Sequence, residues 1–519
     1  MAPSYLSPGV YVEEVDRGPK PIEGVGTAIA AFVGYTEKAQ DPRNGKDLLA
    51  KPTLVTNWTQ YSEAFGDFVE GAYMPDAVYG FFNNGGTRAY IVSVKTLGVP
   101  SDDGKATPAA AKLQSGDEKS PAEVLEISAK TGGPSGNNIK VTAKPDPVKE
   151  GEDPTFTLSV TDGSETENFP GLSLKKGSNF VETVVKQQSK LIDVKVVAKD
   201  TKLVPVGTSQ LEGGKLDTKP ISLNDYQGDA AKRTGLGGLE AIPDLTMLVA
   251  PDLMSAFEAG ELDKKGVQSV QQAMIDFSEN TRYVFSILDC PPNLSPQEVY
   301  DWRMEVNYDT TRAGLYYPWI EVADMMRPGK TKFVPPSGMM AGLYTRVDET
   351  RGVHKAPANE LVRGALGLEI NVTKGEQDML NPVGVNCIRS FPGRGIRVWG
   401  ARTLTSDPAW RYISVRRLFS YIEASIEKGT QWAVFEPNDY MLWGRLSRDI
   451  RAFLKNTWRS GALFGRTEDD AFYVKVDEEL NPPEVRDLGQ LIVEVGVAPV
   501  KPAEFLIIRI SQWSPEGGE

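Results

Sequence analysis

The sequence predicts a multidomain protein of mixed α/β and α+β class with an inserted β-rich peripheral domain. Three observations carry this. A β-α-β order recurs in the middle of the chain. Amphipathic helical stretches alternate with short strands toward the C-terminus. Between residues 97 and 225 the composition shifts to short alternating runs set among Gly, Pro and Asp clusters. A length of 519 residues suits three or four domains, and 40% apolar with 24% charged residues is an ordinary globular mix.

Residues 1–25 read as an N-terminal arm: Ser7-Pro8-Gly9 precedes a short strand, Val10 to Val15, and Gly18-Pro19-Lys20-Pro21 then breaks the chain. Residues 26–96 begin the body, with an apolar run from Ala28 to Val33 typical of a buried strand, and Asn83-Asn84-Gly85-Gly86 turning into a second strand, Tyr90 to Val94. Residues 97–225 form the peripheral domain. Its first stretch, Gly98 to Ala122, has hardly a large apolar side chain and is expected to be a flexible linker. Behind it, runs such as Phe156 to Val160 and Asp193 to Val196 alternate as strands with one wet face.

Residues 226–385 are the α/β core. A strand from Leu245 to Ala250 leads to a helix with Val267, Val270, Met274 and Phe277 on one side, then a strand from Tyr283 to Leu288. That order implies parallel strands and a right-handed crossover. Ser295-Pro296-Gln297-Glu298 opens another helix with a capping box. Residues 386–497 form a C-terminal α+β body: a strand from Ile396 to Trp399, a helix carrying Val415, Leu418, Phe419, Ile422 and Ile426 that stops at Gly429, and a strand from Trp432 to Phe435. A long helix from about Asn438 to Ser460 follows, then strands from Phe472 to Val476 and Leu491 to Val497.

Composition excludes most chemistry. The chain has two cysteines, Cys290 and Cys387, and one histidine, His354, too few and too scattered for a zinc site or disulfide framework; this usage fits assembly in a reducing cytoplasm. There is no G-x-S-x-G elbow and no P-loop, and Glu240 stands where a dinucleotide fingerprint beginning at Gly235 needs its third glycine. No catalytic, cofactor or metal residue is assigned, although a carboxylate-only hydrolase stays open. A net charge of −13 argues against coating nucleic acid, and the arginines between Arg389 and Arg397 read better as turn and strand than as an RNA surface. No apolar run approaches the roughly 20 residues that span a bilayer, and no secretory signal is expected at MAPSYLSPGV.

Two features stand out. The last segment, residues 498–519, starts with a stiff Ala498-Pro499-Val500-Lys501-Pro502 linker. A strand follows from Glu504 to Ile510, with Phe505 and Ile507 on one face and Leu506, Ile508 and Ile510 on the other. Burying five such side chains contributes on the order of 8–15 kcal/mol gross. Ordering seven residues of backbone costs roughly 7–14 kcal/mol, so the strand holds only within a ready-made sheet, its own or a neighbour's. The tethered strand with Val10, Tyr11, Val12 and Val15 mirrors it and favours strand exchange in a polymer. The second feature is the long helix. Leu442, Leu446, Ile450, Phe453 and Leu454 form its apolar stripe, and Arg445, Arg448, Arg451, Lys455 and Arg459 centre on the opposite face, opposed along the helix only by Asp439 and Asp449. This is either a solvated face or a dock for an acidic partner.

SPGVYVEEV (Ser7 to Val15), NNGGTRAYIVSV (Asn83 to Val94), VPPSGMMAGLYTRVDETRGVHKAPAN (Val334 to Asn359), IRSFPGRGIRVWGARTL (Ile388 to Leu404) and GVAPVKPAEFLIIRI (Gly496 to Ile510) resemble the contractile tail sheath family of phages, R-type tailocins and phage-derived contractile injection systems. One departure is His354, where the family pattern more often has Trp. The resemblance implies a subtilisin-like architecture for the core without its chemistry, and a metastable structural protomer, not an enzyme. Such protomers stack as hexameric rings around an inner tube protein, are bounded by baseplate and terminal cap proteins, and contract to drive the tube through a target envelope. It implies strand exchange through the two arms and an inward-facing C-terminal domain, which makes the basic helix the expected tube contact. No direct nucleic-acid contact or membrane insertion by this chain is implied. Another strand-exchanging tube or shell protein is the alternative.

Overall fold

The computed structural model describes residues 21–98, 106–115, 122–147, 153–162, 166–216 and 219–509. These fold as two compact units. The larger comprises residues 28–346 and 358–404, and the smaller residues 21–27, 347–357 and 405–509.

The larger unit is built on an eight-stranded sheet in the order Thr53–Val55, Arg88–Thr96, Ile29–Thr36, Met247–Val249, Phe285–Asp289, Ala313–Tyr317, Val385–Phe391, Gly395–Val398. The six inner strands are parallel and each outermost strand is antiparallel to its neighbour. Ile29–Thr36 is buried along its whole length, as a parallel strand with both faces covered must be. The helix Lys264–Thr281 crosses between the third and fourth of these parallel neighbours in chain order, and lays Val267, Val270, Met274 and Phe277 into the core. Asp263 caps it by accepting from the Gly266 amide at 2.8 Å. The Ser295–Glu298 capping box opens the helix Pro296–Val306. Asp252 is a buried hub at the carboxyl end of the sheet. It accepts hydrogen bonds from the amides of Tyr35 (2.6 Å), Met74 (3.1 Å) and Tyr73, so one carboxylate holds a strand end to the start of the helix Met74–Asn83.

Within this unit the peripheral segment has its own seven-stranded antiparallel sheet and its own core of Leu125, Ile127, Val141, Leu158, Val160 and neighbours. Phe156–Thr161 alternates buried and half-buried positions, as a strand with one wet face does. The stretch from Gly98 to Ala122 is not a linker throughout. Ala110–Ser115 lies inside the sheet, between Glu123–Ala129 and Pro205–Gln210, with Leu113 buried. Its small side chains borrow their cover from the larger residues of flanking strands, which composition alone does not reveal.

Two further expectations are corrected. The C-terminal body does not begin at Asn386: Val385–Phe391 pairs parallel with Ala313–Tyr317 and turns back into Gly395–Val398, so residues up to Leu404 complete the large sheet. Asn386 is fixed there, donating to the carbonyls of Leu315 (3.2 Å) and Arg402 (2.8 Å). And Trp432 to Phe435 is no strand. Gln431–Ala433 forms a single 3₁₀ turn and the chain then runs exposed, since no neighbouring strand offers it backbone partners.

The smaller unit packs the helix Ile413–Thr430 against Tyr440–Arg459 and a two-stranded sheet of Phe472–Lys475 and Glu494–Val497, through Leu418, Ile422, Ile450, Phe453, Leu454 and Phe472. Its buried ion pair is Arg417 with Asp348, 2.6 Å apart. Thr27 completes it, its hydroxyl donating to Asp348 at 2.7 Å and its carbonyl accepting from Arg417 at 3.0 Å. Removing one partner strands a desolvated charge. Arg417→Leu is therefore expected to destabilise this unit by about 3–5 kcal/mol in chemical denaturation; a loss below about 1 kcal/mol would show that solvent reaches the pair.

Candidate assembly interface

The helix Tyr440–Arg459 starts where Asp439 accepts from the Leu442 amide at 2.8 Å, and buries Leu442, Trp443, Leu446, Ile450, Phe453 and Leu454. Arg445, Arg448, Arg451 and Arg459 are exposed and Lys455 is half-buried, so the structure brings the five expected bases to one accessible ridge. Partners from other elements, invisible in the helical pattern, temper its charge. Glu436 pairs with Arg445 at 3.2 Å, and Glu468 with Lys455 at 3.0 Å. Asp449, though buried, lies 3.4 Å from Arg448. Arg451 reaches only the Val474 carbonyl, at 3.5 Å, and among the described residues no carboxylate pairs with Arg451 or Arg459. Exposed pairs of this kind are worth 1 kcal/mol or less, so a partner can exchange them cheaply.

Of the expected strand-exchange residues, Val10, Tyr11, Val12, Val15 and Ile510 lie outside the described residues. Phe505, Leu506, Ile507 and Ile508 lie inside them. After Glu494–Val497 the chain stays tied through Val500, whose amide donates to the Ala462 carbonyl at 3.1 Å, while Phe464 donates to Ala498 at 2.8 Å. Beyond it, residues 501–509 join no strand, and Tyr412 donates to Glu504 at 3.0 Å. Phe505, Leu506, Ile507 and Ile508 are 71%, 85%, 78% and 72% exposed. Four consecutive large apolar side chains in water are unusual at a protein surface.

The single histidine, two lysines lining a cleft and two buried carboxyls each have defined surroundings. His354 is half-buried, and burial together with the Arg351 charge holds its pKa below the usual imidazole range. Its ring packs on Gly352, which sits at a φ of +90° where a Cβ would come within 2.8 Å of the imidazole, so the pair is a fitted turn. A cleft of about 520 Å³ opens at the carboxyl ends of Ile29–Thr36 and Arg88–Thr96, but Lys95 is bound to Glu261 at 2.6 Å and Lys332 to Asp76 at 2.7 Å. Asp289 takes the amide and hydroxyl of Ser337 at 2.9 and 2.5 Å; burial nonetheless pushes its pKa up to about 7, as it does for Asp252. Both carboxyls hold protons in the folded state that the unfolded chain, with ordinary carboxylate values, has lost. Stability from them is complete below about pH 4 and lost as pH rises through about 7. Denaturation midpoints are expected to fall from pH 5 to 8, and Asp289→Asn to flatten that slope; an unchanged slope would mean that Asp289 does not titrate there.

The phage tail sheath protein central domain matches residues 250–404 and the phage tail sheath C-terminal domain residues 405–512, together just over half of the chain. The tail sheath protein of Vibrio phage KVP40 is 27% identical over 308 residues, 54% of this chain and 44% of that protein. A putative prophage major tail sheath protein of Pseudomonas aeruginosa is 26% identical over 258 residues, 48% of this chain and 64% of that one. The chain thus spans about half the length of these relatives. In fold it is similar to the helical sheath of the anti-feeding prophage in its contracted state (TM-score 0.59, 23% identity, 98% of this chain and 100% of that one). It is also similar to the contracted sheath complex of the extracellular contractile injection system PVC (TM-score 0.55, 24% identity, 98% and 99%). The chain belongs to the contractile tail sheath family.

Proposed function

We propose that this chain is the sheath protomer of a contractile particle, assembled in the bacterial cytoplasm as hexameric rings stacked around an inner tube, with baseplate and cap proteins at its ends. Contraction of that lattice drives the tube through a target envelope. The protein works as a metastable structural element rather than an enzyme, and its parallel core is subtilisin-like in architecture only.

The observation that carries this reading is the exposed apolar run Phe505 to Ile508, which pairs with no strand, in a chain of the sheath family. A partner for it exists in every copy. Among the described residues the sheet of Phe472–Lys475 and Glu494–Val497 has two strands, and Glu494–Val497 is at most half-buried, so an edge is open to a further strand. A neighbour's C-terminal strand, joined by the arm bearing Val10, Tyr11, Val12 and Val15, enlarges that sheet by main-chain hydrogen bonding and removes four apolar side chains from water. Such a link survives rotation of the bodies because the tether from Lys501 on lies past the bond of Val500 to Ala462 and pairs with no strand of its own unit. The ridge of Arg445, Arg448, Arg451, Lys455 and Arg459 then faces the tube, holding the extended state through hydrated charge pairs that separate at modest cost.

Negative-stain electron microscopy of the full chain, beside one ending at Val500, tests the arm, each with and without inner-tube protein. The full chain is expected to form striated tubes that the truncation abolishes. Truncated chains that still coat inner tubes would refute the arm's role while leaving the sheath standing.

A further inference from the structure

The cleft at the carboxyl ends of Ile29–Thr36 and Arg88–Thr96 lies within the larger unit, where its sheet reverses its direction of growth. Arg88–Thr96 pairs on one side of Ile29–Thr36 and Met247–Val249 on the other. Tyr35 and Lys95 from the first two strands, and Ser255 from the segment after the third, all line it. In open α/β sheets such a reversal leaves a crevice in which ligands are held. A volume of about 520 Å³ suits a small molecule. The charges in this cleft do not balance. Each lining cation is taken by an acid: Lys95 by Glu261 at 2.6 Å, Lys332 by Asp76 at 2.7 Å and Arg327, at the exposed rim, by Glu70 at 3.1 Å.

Two further carboxylates line the cleft, and among the described residues neither has a cationic partner. Asp324 is only 8% exposed, and its carboxylate accepts the Met326 amide at 3.0 Å. Glu258 accepts from the Tyr73 hydroxyl at 2.6 Å. A carboxylate held largely out of water without a cation is costly, and a ligand that brings positive charge removes that cost. Val69, Leu97 and Phe333 give the same cleft an apolar wall. Among the described residues no three histidines, cysteines or carboxylates are grouped to hold a metal ion, which points to an organic cation. We propose that this cleft binds a small aliphatic diamine, one ammonium on Asp324, the other on Glu258, and the methylenes against the apolar wall. A lysine side chain of another protein brings a single charge and matches only half of this lining.

The test is equilibrium dialysis of the full-length chain against 1,4-diaminobutane, with thermal denaturation alongside. Its readout is the same for single chains and for polymer, so it stands apart from the sheath reading. The parent is expected to take up the diamine saturably and to melt at a higher temperature when it is bound. Asp324→Asn keeps an acceptor for the Met326 amide, and Glu258→Gln keeps one for the Tyr73 hydroxyl. Each is expected to weaken uptake at least tenfold, as is replacing the diamine by butylamine, and 1,4-butanediol is expected not to bind. Uptake unchanged in both variants would overturn the site, by showing that amines merely collect on a chain of net charge −13. Butylamine bound as tightly as the diamine would overturn the two-carboxylate arrangement, and butanediol bound as tightly would overturn the charge recognition. Met326→Lys covers the case in which a carboxylate variant fails to fold. It leaves both acids in place and brings an ammonium of the chain itself to the half-buried lining. Uptake is expected to fall at least tenfold, and parent-like uptake by this variant would also overturn the site.

Discussion

A strand that is apolar on both faces has no stable place at the surface of a single protein molecule. Phe505, Leu506, Ile507 and Ile508 remain in water when the chain is alone, and as a strand they would present large side chains alternately to both sides. Their cover must come from two directions, and their main-chain groups need an adjacent strand edge. The strand exchange proposed for this protein follows from that requirement. Ala498 and Val500 are still bonded to their own unit, and past them residues 501–509 pair with no strand.

The charged surface obeys a complementary logic. Burial of apolar area is strong and slow to reverse, which suits a link that must persist through a rearrangement. Exposed ion pairs are weak, screened by salt and quickly exchanged, which suits a contact that must be released. The smaller unit carries both kinds: the tail at one end of its sequence, and along one helix a ridge whose cations are loosely engaged with Glu436 and Glu468. Its interior is treated differently. Arg417 and Asp348 are fully enclosed and bound to Thr27, which ties three separated stretches of sequence together.

Local signals in the sequence were faithful where local physics decides. The stripe from Leu442 to Leu454, the capping box at Ser295 and the apolar run from Ala28 to Val33 each mark an element that the structure contains. Long-range pairing was illegible. Ala110–Ser115 looks like linker because its own side chains are small, and only its neighbours make it a strand. Trp432 to Phe435 has strand composition but no partner; Pro437, closing the run, was the available warning of a loop. Val385–Phe391 completes the large sheet through contacts some 70 residues back in the chain, so its assignment to the C-terminal body was a matter of proximity in sequence. The five bases of the ridge were readable from spacing, whereas Glu436 and Glu468 reach them from other elements and no periodicity announces them.

Amide hydrogen exchange at residues 505–508, compared between the isolated chain and the assembled sheath, tests the central claim most directly. In the isolated chain these amides have no strand partner and exchange at nearly the rate of an unfolded peptide. If a neighbour's sheet takes up the strand, their exchange in the polymer slows by orders of magnitude, to the level of the Glu494–Val497 ladder. A fully formed polymer in which these four amides exchange as freely as in the monomer would contradict the account.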